Sequence, residues 1–342
     1  MSLVLPPALT SAWDAARRAL GPGQAVNRLM QANPVPLIHP DARMIVIFSP
    51  KSACTSVVLW FLHQLGVSDK AFRYGGVHGY RSQVYLRSSL YRDALKQDLS
   101  DFRVVRVVRD PFDRAASSFR HVQRTGMADA YFSALLGRDD IAAGVSFREF
   151  LDLLEHMDLT TCNPHYRIQR HPVEDKLKVT HLINISTEDL FARLNEVEAA
   201  LGLPVTDFAT LSWLHRKDMK RSQFNAKMEV TDAYDMRLTR VQARWSPWPP
   251  YSALLTPPAR ERIARLYAAD IAAYGEAPPI GRNRAQRSLG AAEGTSQIAG
   301  DIERSADRDE RRARRAKRRA GRAERAARRA ARAAARAKRG IT

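Results

Sequence analysis

Only two cysteines, Cys54 and Cys162, occur in the chain, more than a hundred residues apart. That scarcity excludes a disulfide framework as the source of stability and fits a reducing compartment. No stretch approaches the roughly 18 uncharged apolar residues that a membrane-spanning helix needs. The opening stretch MSLVLPPALTSAWDAARRALGPG lacks the basic start and unbroken apolar centre of a secretory signal. We therefore expect a soluble, cytoplasmic protein. The ATP-type loop G-x-x-x-x-G-K-[ST] is missing, and no metal-ligand spacing is seen, so no metal is expected. Internal repeats are absent too, and nothing in the sequence sets an oligomeric state.

Hydrophobic residues, by contrast, make up 45% of the 342, enough for one large domain or two small ones. The net charge of +19 is unevenly spread. Residues 281–342 hold 20 Lys+Arg against 7 Asp+Glu, a net of +13, which leaves the body only mildly basic at +6. Past Pro279 the tract RRARRAKRRAGRAERAARRAARAAARAKRG has no leucine or aromatic residue to pack. Such a tail is expected to be disordered or transiently helical. The chain thus reads as an N-terminal extension (1–40), a domain (41–280) and an Arg/Ala-rich low-complexity tail (281–342). The tail's arginines suit nucleic acid, an anionic membrane surface or another polyanion through counterion release, or else simple solubilisation. Aromatic residues that would stack on bases are not interleaved there.

Along the body, helical and extended patterns alternate. Thr10–Leu20 reads as a short amphipathic helix, and GPGQ and NPVPLIHP as punctuation. Arg43–Phe48 is a continuous apolar run of the kind buried on both faces of a sheet. After it, Val57, Val58, Phe61, Leu62 and Leu65 recur at helical spacing, closed by Gly66. A second strand is expected at Phe102–Val108 and a third at Lys178–Ile185. Helices are expected over DRAASSFRHVQR, over Ser146–Met157, after a Ser186 cap with Asp189 at the reciprocal position, and after a Thr256 cap through Tyr274. The RWSPWPPY stretch (244–251) reads as a loop packed over something. Alternating strands and helices argue for an α/β fold around a mostly parallel sheet flanked by helices.

The chemistry concentrates in two places. In FSPKSACTS (48–56) a strand ends, the chain turns and a helix starts, so the first helical amides have no partners. Small residues Ser52, Ala53, Cys54 and Thr55 let an anion approach those amides, and Lys51, Thr55 and Ser56 add a charge and hydroxyl donors. This is a phosphate cradle in physical terms, although an ordinary turn with a solvated lysine would share the composition. In RVVRDPFDRAASSF a second strand ends at Arg109, with Ser117 eight residues on, about two helical turns along. A guanidinium fork supplemented by a hydroxyl suits a phosphate dianion. Taken singly, Arg109–Asp110 would read as a surface ion pair. Two anion sites on neighbouring strand ends instead imply one ligand with two phosphate-bearing ends.

Together, PKSACTS and VVRDPFDRAASSF resemble the two nucleotide-binding signatures of the PAPS-dependent sulfotransferases, most closely the carbohydrate sulfotransferases grouped as sulfotransferase family 2. NPHYRIQ (163–169) is similar to that family's Asn/Asp-Pro-His-Trp-x-Pro-Gln segment, and YAADIAAYG resembles its C-terminal Tyr…Asp…Phe-Gly helix. The resemblance spans roughly 44–276. It implies a P-loop-like three-layer fold and transfer of a sulfuryl group from 3′-phosphoadenosine 5′-phosphosulfate (PAPS) to an acceptor hydroxyl, by default that of a carbohydrate. It implies that Lys51 and residues 52–56 hold the 5′-phosphosulfate, with Lys51 stabilising the leaving charge, and that Arg109 and Ser117 hold the 3′-phosphate. Ala53 stands where the family usually has glycine, so the loop is expected to avoid positive φ there. Tyr166 and Ile168 replace the usual tryptophan and proline.

Sulfuryl transfer needs a base for the acceptor proton, and histidine suits that at neutral pH. His165, in the NPHYRIQ segment, is the first candidate, and His78, in the glycine-rich YGGVHGY, the second. His63 and His121 sit on expected helices and read as structural. Two rival readings stand beside the transferase: a non-enzymatic polyanion- or nucleic-acid-binding protein acting through its tail, and an ATP-dependent P-loop kinase.

Overall fold

The structure is a computed structural model, described here for residues 22–74, 76–209, 228–245 and 247–275. The expected Thr10–Leu20 helix and the Arg/Ala tail lie outside these residues. Helix α1 (Pro22–Leu29) leads into β1 (Leu37–His39) and β2 (Met44–Phe48). Four helices follow: α2 (Cys54–Gln64), α3 (Ser68–Arg73), α4 (Val77–Gln83) and α5 (Ser89–Ala94). Strand β3 (Arg103–Val108) precedes α6 (Pro111–Thr125), α7 (Asp129–Leu136) and α8 (Phe147–Glu155). Strand β4 (Val179–Asn184) precedes α9 (Leu190–Leu201), α10 (Arg240–Trp245), α11 (Tyr251–Leu254), α12 (Pro257–Leu266) and α13 (Ala268–Tyr274).

The fold is α/β, with a mixed four-stranded sheet in the order β1-β2-β3-β4. β2, β3 and β4 run parallel, while β1 pairs antiparallel with β2 at the edge. All five residues of β2 are buried, as are Val104–Val108 of β3, which is why β2 reads as a continuous apolar run and β3 as one interrupted only by the buried Arg106, rather than as alternating strands. Each fully buried Val or Ile contributes about 1.5–3 kcal/mol by leaving water. One apolar cluster joins the strands to α2, Met30 and Leu194; a second joins Phe119 of α6 to Phe147, Phe150, Trp248 and Ile263. Because β2 and β3 are parallel neighbours, their C-terminal ends open on the same side of the sheet, where α/β folds place ligands.

Several helix ends follow the local rules. α6 starts at Asp110, whose carboxylate accepts from the Phe112 and Asp113 amides, with Pro111 in the first turn. α8 has a full capping box between Ser146 and Glu149, and Gly66 ends α2 with φ 69°. Elsewhere the expectations need correction. Ser186 does not cap α9: Asp189 does, accepting from Phe191 and Ala192, because its carboxylate sits immediately before the first helical residue and reaches two of the orphan amides. The helix expected from Pro257 to Tyr274 is two helices, broken at Tyr267 (φ −113°, ψ 27°), and the Thr256 hydroxyl makes no cap bond. The 244–251 stretch is not all loop: its first residues end α10, its last begins α11, and Trp248 is buried between them.

Candidate functional site: two cationic turns joined by a glutamine

The β2–α2 turn has unusual backbone geometry. Lys51 and Ala53 both have positive φ, 72° and 54°, so Ala53 adopts the left-handed conformation that the sequence suggested it would avoid. Left-handed residues on either side of Ser52 are the kind of backbone alternation from which anion-binding concavities are built. The cost is about 1 kcal/mol or more for each non-glycine residue held there. The Ser52 amide is spent on the Ser49 carbonyl (3.2 Å) and the Ser56 amide on the Ala53 carbonyl (2.9 Å). The amides of Ala53, Cys54 and Thr55 have no acceptor among the described residues. Of the five residues 52–56, then, the central three carry the free donors. Ser52 is wholly buried and donates its hydroxyl to Gln169 Oε1 (3.0 Å), so its role in the turn is internal.

The Lys51 ammonium, half-buried, has no hydrogen-bond or ion-pair partner among the described residues. Burial lowers its pKa to about 8; Cys54 opposes the shift, and Arg124, Arg109 and Arg114 add to it. Arg109, at the end of β3, reaches back to it: Nη1 donates to the Lys51 carbonyl (3.3 Å). Its Nη2 lies 3.6 Å from Asp113, and the guanidinium sits over the Tyr251 ring at 5.4 Å. Ser117, on the second turn of α6, has no hydroxyl partner among the described residues. The two turns named from sequence are therefore neighbours at adjacent strand ends.

Gln169 holds them together. Its Oε1 accepts from the Ser52 hydroxyl and the Arg109 amide (both 3.0 Å), and its Nε2 donates to the Arg109 carbonyl (2.7 Å). The Gln169 amide donates to both Asp270 oxygens, 2.7 and 2.8 Å, and its carbonyl accepts from Arg106 and from the Ser49 hydroxyl. Asp270, fully buried on α13, has its pKa raised by burial, against the pull of Arg114 and the amides it accepts from. Arg114, 1% exposed, donates to the carbonyls of Pro50, Pro164 and Arg167 at 3.2, 3.1 and 2.6 Å. Arg106 is paired with Glu174 (3.0 Å) and sits on Tyr274. These four residues build the site, and sequence reading missed them. The signal was present in NPHYRIQ and YAADIAAYG, whose Gln169 and Asp270 do the joining.

The histidines are rearranged relative to expectation. His78 is on helix α4, not in a glycine-rich loop, and exposed; its Nε2 lies 3.1 Å from Thr55 Oγ1 and 3.9 Å from Cys54 Sγ. Burial pushes the Cys54 thiol up, but the His78 hydrogen bond and the charges of His78 and Lys51 outweigh it, and its pKa is lowered. His165 lies within the NPHYRIQ segment, its backbone carbonyl accepting from the Ser118 hydroxyl at 2.6 Å. His121 is no remote structural histidine. It stacks on His165 with ring centroids 4.3 Å apart and 18° between planes. Burial lowers His165 to about 4 and His121 to about 3, with the Lys51 charge the next cause for both. Both are neutral at pH 7. His63, near Ser68 at 3.5 Å, stays a helix-end residue.

No group of three or more His, Cys, Asp or Glu residues able to hold a metal occurs among the described residues. Among those residues, too, no helix is long and apolar enough to cross a membrane. No protein-family model, curated protein or solved structure matches the chain. What the arrangement can do follows from its charges: it offers three amides, an ammonium, a guanidinium and two hydroxyls to an anion, with a neutral histidine pair nearby.

Proposed function

We propose that the protein is a PAPS-dependent sulfotransferase with a P-loop-like three-layer core, acting on an acceptor hydroxyl, by default that of a carbohydrate. The observation that carries the reading is the joining of the two cationic turns: Arg109 Nη1 is 3.3 Å from the Lys51 carbonyl, and Gln169 bonds both turns. One ligand bearing phosphates at both ends suits that spacing better than two separate anions do.

In this reading the Ala53, Cys54 and Thr55 amides and the Thr55 hydroxyl hold the 5′-phosphate. Lys51 stabilises charge that grows on the bridging oxygen as the S–O bond to the phosphate breaks. Arg109 and Ser117 hold the 3′-phosphate. His165 accepts the hydroxyl proton through Nε2 while the acceptor oxygen forms its bond to sulfur; His78 is the alternative base. No metal is required, because side chains and amides meet the leaving charge. The basic tail would give the protein a second contact with polyanions.

The test is binding followed by turnover. Calorimetry is expected to show tight binding of 3′-phosphoadenosine 5′-phosphate and weak binding of ATP–Mg²⁺; the reverse supports the kinase, and neither binding supports a polyanion-binding protein. Radiolabelled PAPS offered with a panel of sugar, lipid, phenol and peptide hydroxyls then identifies the acceptor. A Lys51→Ala variant with full turnover would contradict the role given to that residue.

A further inference from the structure

The hydrogen bonds of the stacked histidines determine their tautomers. Asn163 Oδ1 accepts the His165 backbone N–H (3.1 Å), so it is the oxygen that faces His165 Nδ1 at 2.9 Å. Nδ1 therefore carries the proton and Nε2 is left as the acceptor. Arg124 Nη2 lies 3.0 Å from His121 Nδ1. An arginine can only donate, so His121 Nδ1 is unprotonated and its proton is on Nε2. Two neutral rings in opposite tautomers, one presenting an acceptor and the other a donor, are stacked against each other beside the anion-binding turn.

The charges facing the pair all have one sign. Acting on His165 are Lys51 from the turn, Arg114 and Arg124 from α6, and His78 from α4; acting on His121 are Lys51, Arg124 and His165 itself. No carboxylate is among them. A proton on either ring is therefore opposed first by burial and then by these cations, and a proton on one ring disfavours a proton on the other.

We propose that His121 and His165, stacked 4.3 Å apart in opposite tautomers, form one proton-handling unit beside the anion-binding turn, and that the negative charge of a donor bound on that turn makes the pair a better proton acceptor. His165 is the member that takes the acceptor's proton, and His121, anchored by Arg124, is a positioning residue that keeps the His165 ring stacked. Binding order follows. An acceptor hydroxyl that arrives before the donor meets a base too weak to take its proton, so the productive order is donor first. The role of His165 as base rests on the sulfotransferase reading, whereas the coupling of the pair to the anion turn does not.

The experiment follows both rings by NMR in histidine-labelled full-length protein, with His121→Asn and His165→Asn supplying assignments. At pH 7, nitrogen shifts are expected to report Nδ1–H for His165 and Nε2–H for His121, and Arg124→Gln to release the His121 tautomer; the opposite tautomer in either ring overturns the proposal. In the Lys51→Met protein without ligand both titration midpoints are expected to rise by about one pH unit or more. In the wild type, millimolar pyrophosphate is expected to raise the His165 midpoint similarly. Unmoved midpoints in both tests overturn the proposal. A shift with pyrophosphate but none with 3′-phosphoadenosine 5′-phosphate leaves the coupled pair standing and refutes the donor assignment instead.

Discussion

Lys51 is the group whose ionisation ought to be visible in binding. Its pKa is lowered to about 8 because burial removes water from an ammonium that has no counter-charge, with three arginines nearby. An anion on the turn restores a counter-charge, so the bound state requires the proton. The sign then follows from linkage: below pH 8 most of the free protein already has charged Lys51, and above it binding must take up a proton. Affinity for 3′-phosphoadenosine 5′-phosphate is expected to fall about tenfold between pH 7 and pH 9, equivalent to about 1.4 kcal/mol. The ligand's phosphates have completed their ionisation below that range. Cys54 is the other nearby group able to titrate, so the experiment belongs in a Cys54→Ser background. Calorimetry at constant ionic strength, in buffers of different ionisation enthalpy, is expected to show uptake of about half a proton at pH 8. Lys51→Ala is expected to bind more weakly and with no pH dependence over the same interval. A wild-type affinity constant within twofold from pH 7 to 9, with no proton uptake, would refute the claim that Lys51 meets the anion.

Other consequences concern neighbouring residues. Gln169→Ala strips partners from the Ser52 hydroxyl and from the Arg109 amide and carbonyl; at about 1 kcal/mol per lost bond, unfolding stability is expected to drop by about 3 kcal/mol with an unchanged urea m-value. A loss below 1 kcal/mol would mean that the two turns do not depend on it. Iodoacetamide at neutral pH is expected to alkylate Cys54 well before Cys162, whose thiol burial raises to about 11, and bound nucleotide is expected to protect Cys54. Peptide mapping that found Cys162 modified first would overturn this. His171, 3% exposed, is lowered to about 4 by burial. The unfolded chain takes up that proton near pH 6.5 and the native chain only near pH 4. Stability is therefore lost as pH falls through this window, by about 2 kcal/mol at pH 5, and His171→Gln is expected to flatten that part of the profile.

The sequence announced the parts whose signals are local. β2 and β3 are largely apolar runs because neighbours cover both their faces, β4 instead alternates with Thr180 and Leu182 exposed and Ile183 buried, and α2, α6 and α8 show helical periodicity between recognisable ends. β1 escaped notice because three residues between prolines are too short for any period, and it is ordered by pairing with β2. The break at Tyr267 escaped for a different reason: its ring is buried and its hydroxyl donates to the Tyr166 carbonyl, a tertiary demand invisible in an apolar stripe. The site divides the same way. Lys51 and Arg109 were legible from strand-end position, but Gln169, Asp270 and Arg114 act across 50 to 117 residues of sequence, and only folding brings them in. His121 was misjudged because helical spacing says where a residue sits, not which ring from another segment it meets.

What separates structural from available cations in this site is how many donors each has already spent. Arg114 has given Nε, Nη1 and Nη2 to three carbonyls, and Arg106 is occupied by Glu174, Tyr274, Ser49 and Gln169. Lys51 has spent none of its side-chain donors, and Arg109 is partly committed, to the Lys51 carbonyl and at 3.6 Å to Asp113. Asp113 therefore competes with any anion that Arg109 is to hold. Replacing it with asparagine removes the competing charge, and a partly exposed pair of this kind is worth about 0.2–1 kcal/mol. Asp113→Asn is expected to tighten 3′-phosphoadenosine 5′-phosphate binding by up to about fivefold. It is also expected to cost about 0.5 kcal/mol of stability, because the carboxylate lies in the first turn of α6 and favours the helix dipole. Opposite movement of affinity and stability is the diagnostic result. If Asp113→Asn weakened binding instead, Asp113 would be holding Arg109 in its working position, and the guanidinium would not be the available donor described here.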